Sequence, residues 1–285
     1  MAWEVAGILV VVAAMLSTAA YLHLRRTWPR EDLPAWLLDR PIAHRGLHDA
    51  DSGVPENSLP AFEAAAAAGY PVELDVHLLA DGRVAVFHDF SLERMTGDRR
   101  RIEDCTARQI APLRLAGSDQ PIPLLGEALG VIAGRVGVLI ELKSAERSDR
   151  RLERAVARRL KRYRGDVAVQ SFNPFSLAWF RAYRPELPRG QLACDARRVE
   201  GPCEITLAPH RQMMMKNLMM DSVSRPAFIS YHAESLPSAV VALKRRRGLP
   251  VLAWTVSSPD EQTRLSAFCD NFIFEGYKPA PRARA

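Results

Sequence analysis

Residues 72–88 read VELDVHLLADGRVAVFH, and the fold turns on how that stretch is parsed. Val72 to Ala80 is one extended, mostly apolar run. Asp81-Gly82 is a turn pair that tolerates positive φ, and Arg83 to His88 is a second extended run, so the segment predicts a β-hairpin. Glu73 and Asp75 stand at i and i+2 and therefore share one face of the outgoing strand. The return strand runs antiparallel and carries His88 back to the level of Asp75. Carboxylates at the end of an apolar strand, with an imidazole folded back beside them, match the place where parallel barrels keep their chemistry.

Outward from the hairpin, short apolar runs bounded by turns alternate with longer stretches of helical period, as a parallel sheet with crossover helices requires. Candidate strands are Pro41 to His44, Val72 to Val76, Val136 to Leu142, Val167 to Phe172, Gln191 to Cys194, Ala227 to Tyr231, Val251 to Val256 and Asn271 to Phe274. Asn57 or Ser58 caps a helix whose Leu59, Phe62 and Ala66 share a face and which Gly69 ends. From Ser144 to Arg164, Leu152, Val156, Leu160 and Tyr163 recur on one side while Arg and Glu fill the other. That pattern belongs to a solvated outer helix, and no nucleic-acid partner is expected from it. The fold class is therefore α/β, a (β/α)8 TIM barrel with a β-hairpin excursion at its C-terminal face.

Of the 285 residues, 48% are hydrophobic and 25% charged, which excludes a disordered or multi-span chain. Lys plus Arg number 39 against 33 Asp plus Glu, a net +6 that by itself selects no partner. Cys105, Cys194, Cys203 and Cys269 form no C-x-x-C pair, so neither a zinc ribbon nor a redox motif is present. Val5 to Leu24, VAGILVVVAAMLSTAAYLHL, carries no formal charge and is about the 20 residues a membrane helix needs. Residues 1–26 are thus expected to be one N-terminal transmembrane helix, 27–40 a juxtamembrane linker or short interfacial helix, and 41–285 the barrel domain. Glu4 precedes the apolar run while Arg25, Arg26 and Arg30 follow it. That bias predicts a single-pass protein of the cell inner membrane with a cytoplasmic catalytic domain. A cleaved signal peptide would need a basic n-region, which Met1 to Val5 does not offer.

The polar residues that close the apolar runs are His44-Arg45-Gly46, Glu73 and Asp75, His88-Asp89, and Glu141 with Lys143. Glu73, Asp75 and Glu141 converging on one mouth would repel one another without a cation between them, and an all-oxygen set suits Mg²⁺ or Ca²⁺. His44 and His88 are candidates for general base and general acid. Arg45 and Lys143 suit an anionic substrate, the Arg fork matching a phosphate.

These residues stand in ordered motifs: H-R-G at 44–46, P-E-N at 55–57, E-L-D-V at 73–76, D-G at 81–82, H-D-x-x-L-x-R-x-T-G at 88–97, I-P-L-L-G-E-A-L at 122–129, E-L-K at 141–143, Ser171-Phe172 and W-T-V at 254–256. In this series the chain resembles the glycerophosphodiester phosphodiesterase family over its whole barrel domain. The resemblance implies a metal-dependent hydrolysis of glycerophosphodiesters to glycerol 3-phosphate and an alcohol. Carried over by position, Glu73, Asp75 and Glu141 would hold the metal, and His44 and His88 would be the acid/base pair. Arg45 and Lys143 would hold the phosphate, Glu56 and Asn57 would complete the network of the substrate-binding site, and Trp254 would contact the glycerol or leaving-group side. The departures are Leu79-Ala80 before D-G, Ser257 after W-T-V, and Phe274-Glu275 at the last strand. They are expected to alter the substrate-side wall and to spare the metal and the histidines.

Three other activities compete. A phospholipase or sphingomyelinase D could use the same barrel, though Lys143 and P-E-N favour the diesterase. A membrane-tethered barrel that only binds phosphodiesters has no need of both histidines and all three carboxylates. The Met-rich run Met213 to Met220 is expected to pack as a barrel helix; were it to touch lipid instead, lysophospholipids would become substrates for a lysophospholipase D activity.

Overall fold

The computed structural model describes residues 2–25, 33–144, 149–198 and 208–279. Nine strands follow in chain order: β1 (Ile42–Ala43), β2 (Val72–Leu78), β3 (Val84–Val86), β4 (Val138–Leu142), β5 (Val167–Ser171), β6 (Arg189–Ala193), β7 (Phe228–His232), β8 (Val251–Val256) and β9 (Asn271–Phe274). Eight of them are parallel and run β1-β2-β4-β5-β6-β7-β8-β9, with β1 pairing both β2 and β9, which closes the sheet into a barrel. The ninth, β3, is the hairpin return. It pairs antiparallel with β2 as Val76 with Val86 and Leu78 with Val84, and Gly82 supplies the turn at φ 81°. The Phe87 amide donates to the Asp75 carbonyl at 3.0 Å, so His88 returns to within a residue of Asp75.

Period two divides each strand between two cores. Ala43, Val72, Leu74, Val138, Ile140, Val167 and Val169 face outward and bury Phe62, Leu129, Val156, Leu160 and Leu177 of the surrounding helices. Ile42, Leu139, Ala168, Phe228, Leu252 and Ile273 point inward and form a separate apolar layer inside the barrel. Gly190, paired with Phe228, is needed there, because a Cβ would stand 2.2 Å from the phenyl ring. The residue two further along each inward row lies one layer nearer the C-terminal mouth. Those residues are His44, Glu141, Gln170, Ser230, Trp254 and Glu275, so the layer that carries the site stands directly on the apolar one.

Two expected helices form as Leu59–Ala67, with the Ser58 hydroxyl accepting from the Ala61 amide, and Arg151–Leu160; residues 145–148 of the second stretch lie outside the described residues. In the Met-rich run the helix Pro209–Lys216 packs the partly buried Met215 against the apolar core, with buried Leu218 just beyond it, while Met213 and Met219 are exposed. Residues 33–40, expected as linker, instead belong to the barrel. Leu37 is fully buried in the interior layer, and the Asn271 amide donates to the Leu37 and Arg40 carbonyls at 2.8 and 2.6 Å.

The N-terminal stretch forms a helix, Ala2–Arg25, with apolar side chains exposed from Trp3 to Leu22. Among the described residues no helix is long and apolar enough to cross a membrane, so the expected transmembrane anchor has no support in the structure. Several side chains of this helix, Leu16 and Ala20 among them, are outside the description.

Candidate active site

The site begins with two neighbouring strands. In the β2–β4 register Glu73 pairs with Leu139 and Asp75 with Glu141. Side chains of one parity therefore bring three carboxylates together, with one oxygen of each within 4.8 Å of the others. All three are buried, Asp75 completely. Burial, then the charges of Asp75 and Glu141, pushes Glu73 well above its ordinary 4.5. Burial raises Glu141 as well. Burial alone would raise Asp75 too, but Lys143, His88, Arg45 and His44 together hold it below the usual carboxylate range. Three carboxyls held this close repel one another, and a cation bound between them would relieve that repulsion. Asp75 Oδ1 accepts no hydrogen bond, although Lys143 Nζ stands 3.2 Å away. Three carboxylates on rigid strands with such an oxygen fit a hard divalent ion.

Around this cluster the loops after β1 and before Leu59 are held in uncommon backbone shapes. Arg45 and Asn57 both adopt positive φ, 53° and 55°, which non-glycine residues accept only where surrounding contacts compel it. Here the Arg45 amide donates to Glu73 Oε2 at 3.1 Å, and the Asn57 amide donates to the Arg45 carbonyl at 2.9 Å. The Asn57 side chain donates to Asp75 Oδ2 at 2.9 Å and accepts from the Asp75 amide at 3.3 Å. The Arg45 guanidinium reaches Glu56 at 2.8 Å and Asp75 at 3.5 Å. Gln170, on β5, donates to Glu73 at 3.3 Å and accepts from Ser230 at 2.8 Å.

Each histidine has its own carboxylate. His44 Nδ1 lies 2.5 Å from Glu275 Oε2, and His88 Nδ1 lies 2.7 Å from Asp89 Oδ1. A carboxylate only accepts, so Nδ1 carries the hydrogen in both rings. Burial, then Arg45, lowers His44 below its ordinary 6.5, which makes it neutral near pH 7. Burial would raise Glu275, but the hydrogen bond from His44, with His48 3.7 Å away, holds it well below its ordinary value. Asp89 is gripped by Arg94 at 2.6 and 2.9 Å, and Arg94 also reaches both oxygens of Glu56 at 2.7 and 3.1 Å. Burial would raise Glu56 as well, but Arg94 and Arg45 bring it down to about 2.

The structure thus gathers His44, Arg45, Glu56, Asn57, Glu73, Asp75, His88, Glu141 and Lys143 at one mouth. Lys143 lies 2.8 Å from Glu141, spanning it and Asp75. Trp254 stands apart, across the barrel from β4, in an aromatic group with Phe172 at 5.7 Å and His232 at 4.8 Å between ring centroids. The expectation that Phe274-Glu275 spares the histidines does not hold, because Glu275 is the partner of His44. Its signal was the period-two row from Ile273. Arg94, the Arg of the H-D-x-x-L-x-R run, and Gln170 are further site residues that strand-end listing misses.

The family described as "Glycerophosphoryl diester phosphodiesterase family" matches residues 44–270. The chain is similar to a glycerophosphodiester phosphodiesterase of Caldanaerobacter subterraneus subsp. tengcongensis, 27% identical over 236 residues that cover 79% of this chain and 88% of that one. To a glycerophosphodiester phosphodiesterase of Bacillus altitudinis it is 33% identical over 165 residues, 54% of this chain and 66% of the other. Its fold is similar to that of an Oleispira antarctica phosphodiesterase solved in complex with the product sn-glycerol-3-phosphate. There the TM-score is 0.67 and the identity 26%, over 84% of this chain and 93% of that one.

Proposed function

The chain belongs to the glycerophosphoryl diester phosphodiesterase family, and we propose that its barrel mouth hydrolyses glycerophosphodiesters to glycerol 3-phosphate and an alcohol by paired histidine acid/base catalysis with a divalent cation, Mg²⁺ or Ca²⁺. The observation that carries this reading is the pair of imidazoles, each tied at Nδ1 to its own carboxylate, beside three clustered carboxylates. Glu73, Asp75 and Glu141 would hold the cation. When bound, it would neutralise phosphate charge and polarise the phosphoryl group.

The protein's own groups do the rest. Arg45 presents a guanidinium fork to the phosphate, held in place by Glu56 and by its strained backbone. Lys143 adds a second cation against the anionic diester. Of the two histidines one takes the proton of the attacking oxygen at Nε2 and the other returns a proton to the leaving oxygen, while Glu275 and Asp89 keep the rings turned. Trp254, with Phe172 and His232, would form the wall against the glycerol or alcohol.

The full chain is incubated with glycerophosphodiesters and lysophospholipids, with Mg²⁺, Ca²⁺ or chelator. Metal-dependent release of glycerol 3-phosphate that His44→Ala abolishes is the expected result, and tight binding without turnover would overturn it. A lysophospholipase D activity is the second reading, favoured by the exposed Met213 on the helix Pro209–Lys216 and the exposed Met219 just beyond its end. Release of lysophosphatidate in place of glycerol 3-phosphate would select it.

We also propose that the helix Ala2–Arg25 attaches the enzyme to a bilayer, the inner membrane with the barrel on its cytoplasmic side. The exposed apolar side chains support it. Release of the full chain from membranes by salt alone would sink that attachment.

A further inference from the structure

The end of the barrel opposite the site has a composition of its own. Parallel strands run from floor to mouth, so every connecting helix runs back and ends at the floor. The helix Arg151–Leu160 ends there in Arg158, Arg159, Lys161, Arg162 and Arg164, all exposed. Among the described residues none of these five has an ion-pair partner. Further round the same face stand Arg181, which donates to the Val223 carbonyl at 2.9 Å, and the exposed Arg225. An unpaired cation cluster on one face is an electrostatic docking surface for an extended anionic partner.

Two observations choose the partner. Tyr183, 67% exposed at the floor end of the helix Pro174–Tyr183, stacks on Trp179 with ring centroids 4.9 Å apart. Such amphipathic rings settle at the interface between headgroups and acyl chains. The floor is also where the chain arrives from its N-terminal helix. Leu33 and Trp36 pack beneath the barrel, and only residues 26–32 separate Arg25 from Leu33. Eight Cα steps reach at most about 29 Å. The N-terminal helix also touches the helix Ala239–Arg246.

We propose that the N-terminal face of the barrel lies on a bilayer of anionic phospholipids, so that the catalytic mouth opens away from the membrane, toward soluble diesters. The orientation rests on the attachment through Ala2–Arg25 proposed above, while the affinity of the floor for anionic headgroups stands without it. Short exposed cation clusters within a Debye length of such a surface are drawn to it, and salt above physiological strength releases them.

The full chain is placed in nanodiscs of phosphatidylcholine alone or with a third phosphatidylglycerol, with an environment-sensitive fluorophore on Tyr183→Cys or on Asp51→Cys at the mouth and Cys203 replaced by Ser. The label at 183 should shift to the blue in anionic discs and return in high salt, while the label at 51 keeps its aqueous emission in both. Arg158→Glu/Arg162→Glu/Arg164→Glu should abolish the shift with thermal stability and soluble-diester turnover retained. A shift at 51, or one at 183 that ignores lipid charge, overturns the proposal. Should the chain leave neutral discs, the attachment fails separately, and the floor is scored on preformed anionic vesicles, where the triple variant must bind at least about 100-fold more weakly. Equal binding there overturns it.

Discussion

The mouth and the floor of this barrel both rely on arginine, and they use it in opposite ways. At the mouth Arg45 and Arg94 share Glu56, and Arg94 also holds Asp89, so each guanidinium is locked between carboxylates. At the floor Arg158, Arg162 and Arg164 are exposed and form no ion pair among the described residues. The difference teaches that a compensated guanidinium is a rigid part, able to fix the angle of a neighbour. An uncompensated one is a source of field, felt at a distance and screened by salt. The net +6 of the chain averages over these two roles and reveals neither.

The comparison breaks most visibly at the histidines. His44→Ala and His88→Ala should each lower kcat about 1,000-fold or more against a glycerophosphodiester, with unchanged circular dichroism; activity near wild type would remove them from the proton transfers. Asp75→Asn should cost about 100-fold or more and abolish the response to added Mg²⁺ or Ca²⁺ in a chelated preparation. Retained metal dependence in that variant would place the cation elsewhere.

Smaller effects test whether the mouth arginines work by position. Arg94→Ala should lower kcat by about 10- to 100-fold with KM little changed, because His88 loses the brace behind Asp89. Arg94→Lys should restore only part of it, since a point charge cannot span both carboxylates. A change confined to KM would make Arg94 a substrate contact instead.

Acid should separate the two ends as well. Glu56 is held at about 2 in the folded state against an ordinary 4.5, so the unfolded chain binds its proton first as pH falls. The stability it confers is present in full above pH 4.5 and is lost as pH falls toward 2. Thermal midpoints of the wild type should therefore drop more steeply across that window than those of Glu56→Gln. Smallest of all, the triple floor reversal should leave turnover of soluble diesters within about twofold, the floor lying beyond a Debye length from the mouth at physiological salt.

Much of this architecture is legible locally. The eight parallel strands fall where turn-bounded apolar runs stand, and the D-G hairpin forms as its turn chemistry requires, because both depend on spacings of two to four residues. Glu73 with Asp75, and His88 on the hairpin return, follow from the same short-range rules. Glu275 does not. It meets His44 across 231 positions of sequence only because β9 pairs with β1. Arg94 and Glu56, 38 apart, are likewise joined by the way two loops fold over one mouth. Leu37 was hidden for the same reason, its burial depending on a floor that exists only after closure.

The sequence by itself determined the strand and helix alternation, the hairpin, and the identity of the three carboxylates, the two histidines and the two cations. All of these are written in residue type and short period. Tertiary structure alone decided which carboxylate turns His44, which arginines are compensated and which are left to face outward. The physical reason is that electrostatic partnership depends on distance in space. Barrel closure sets the first strand against the last, and so brings His44 to Glu275 across 231 positions of sequence.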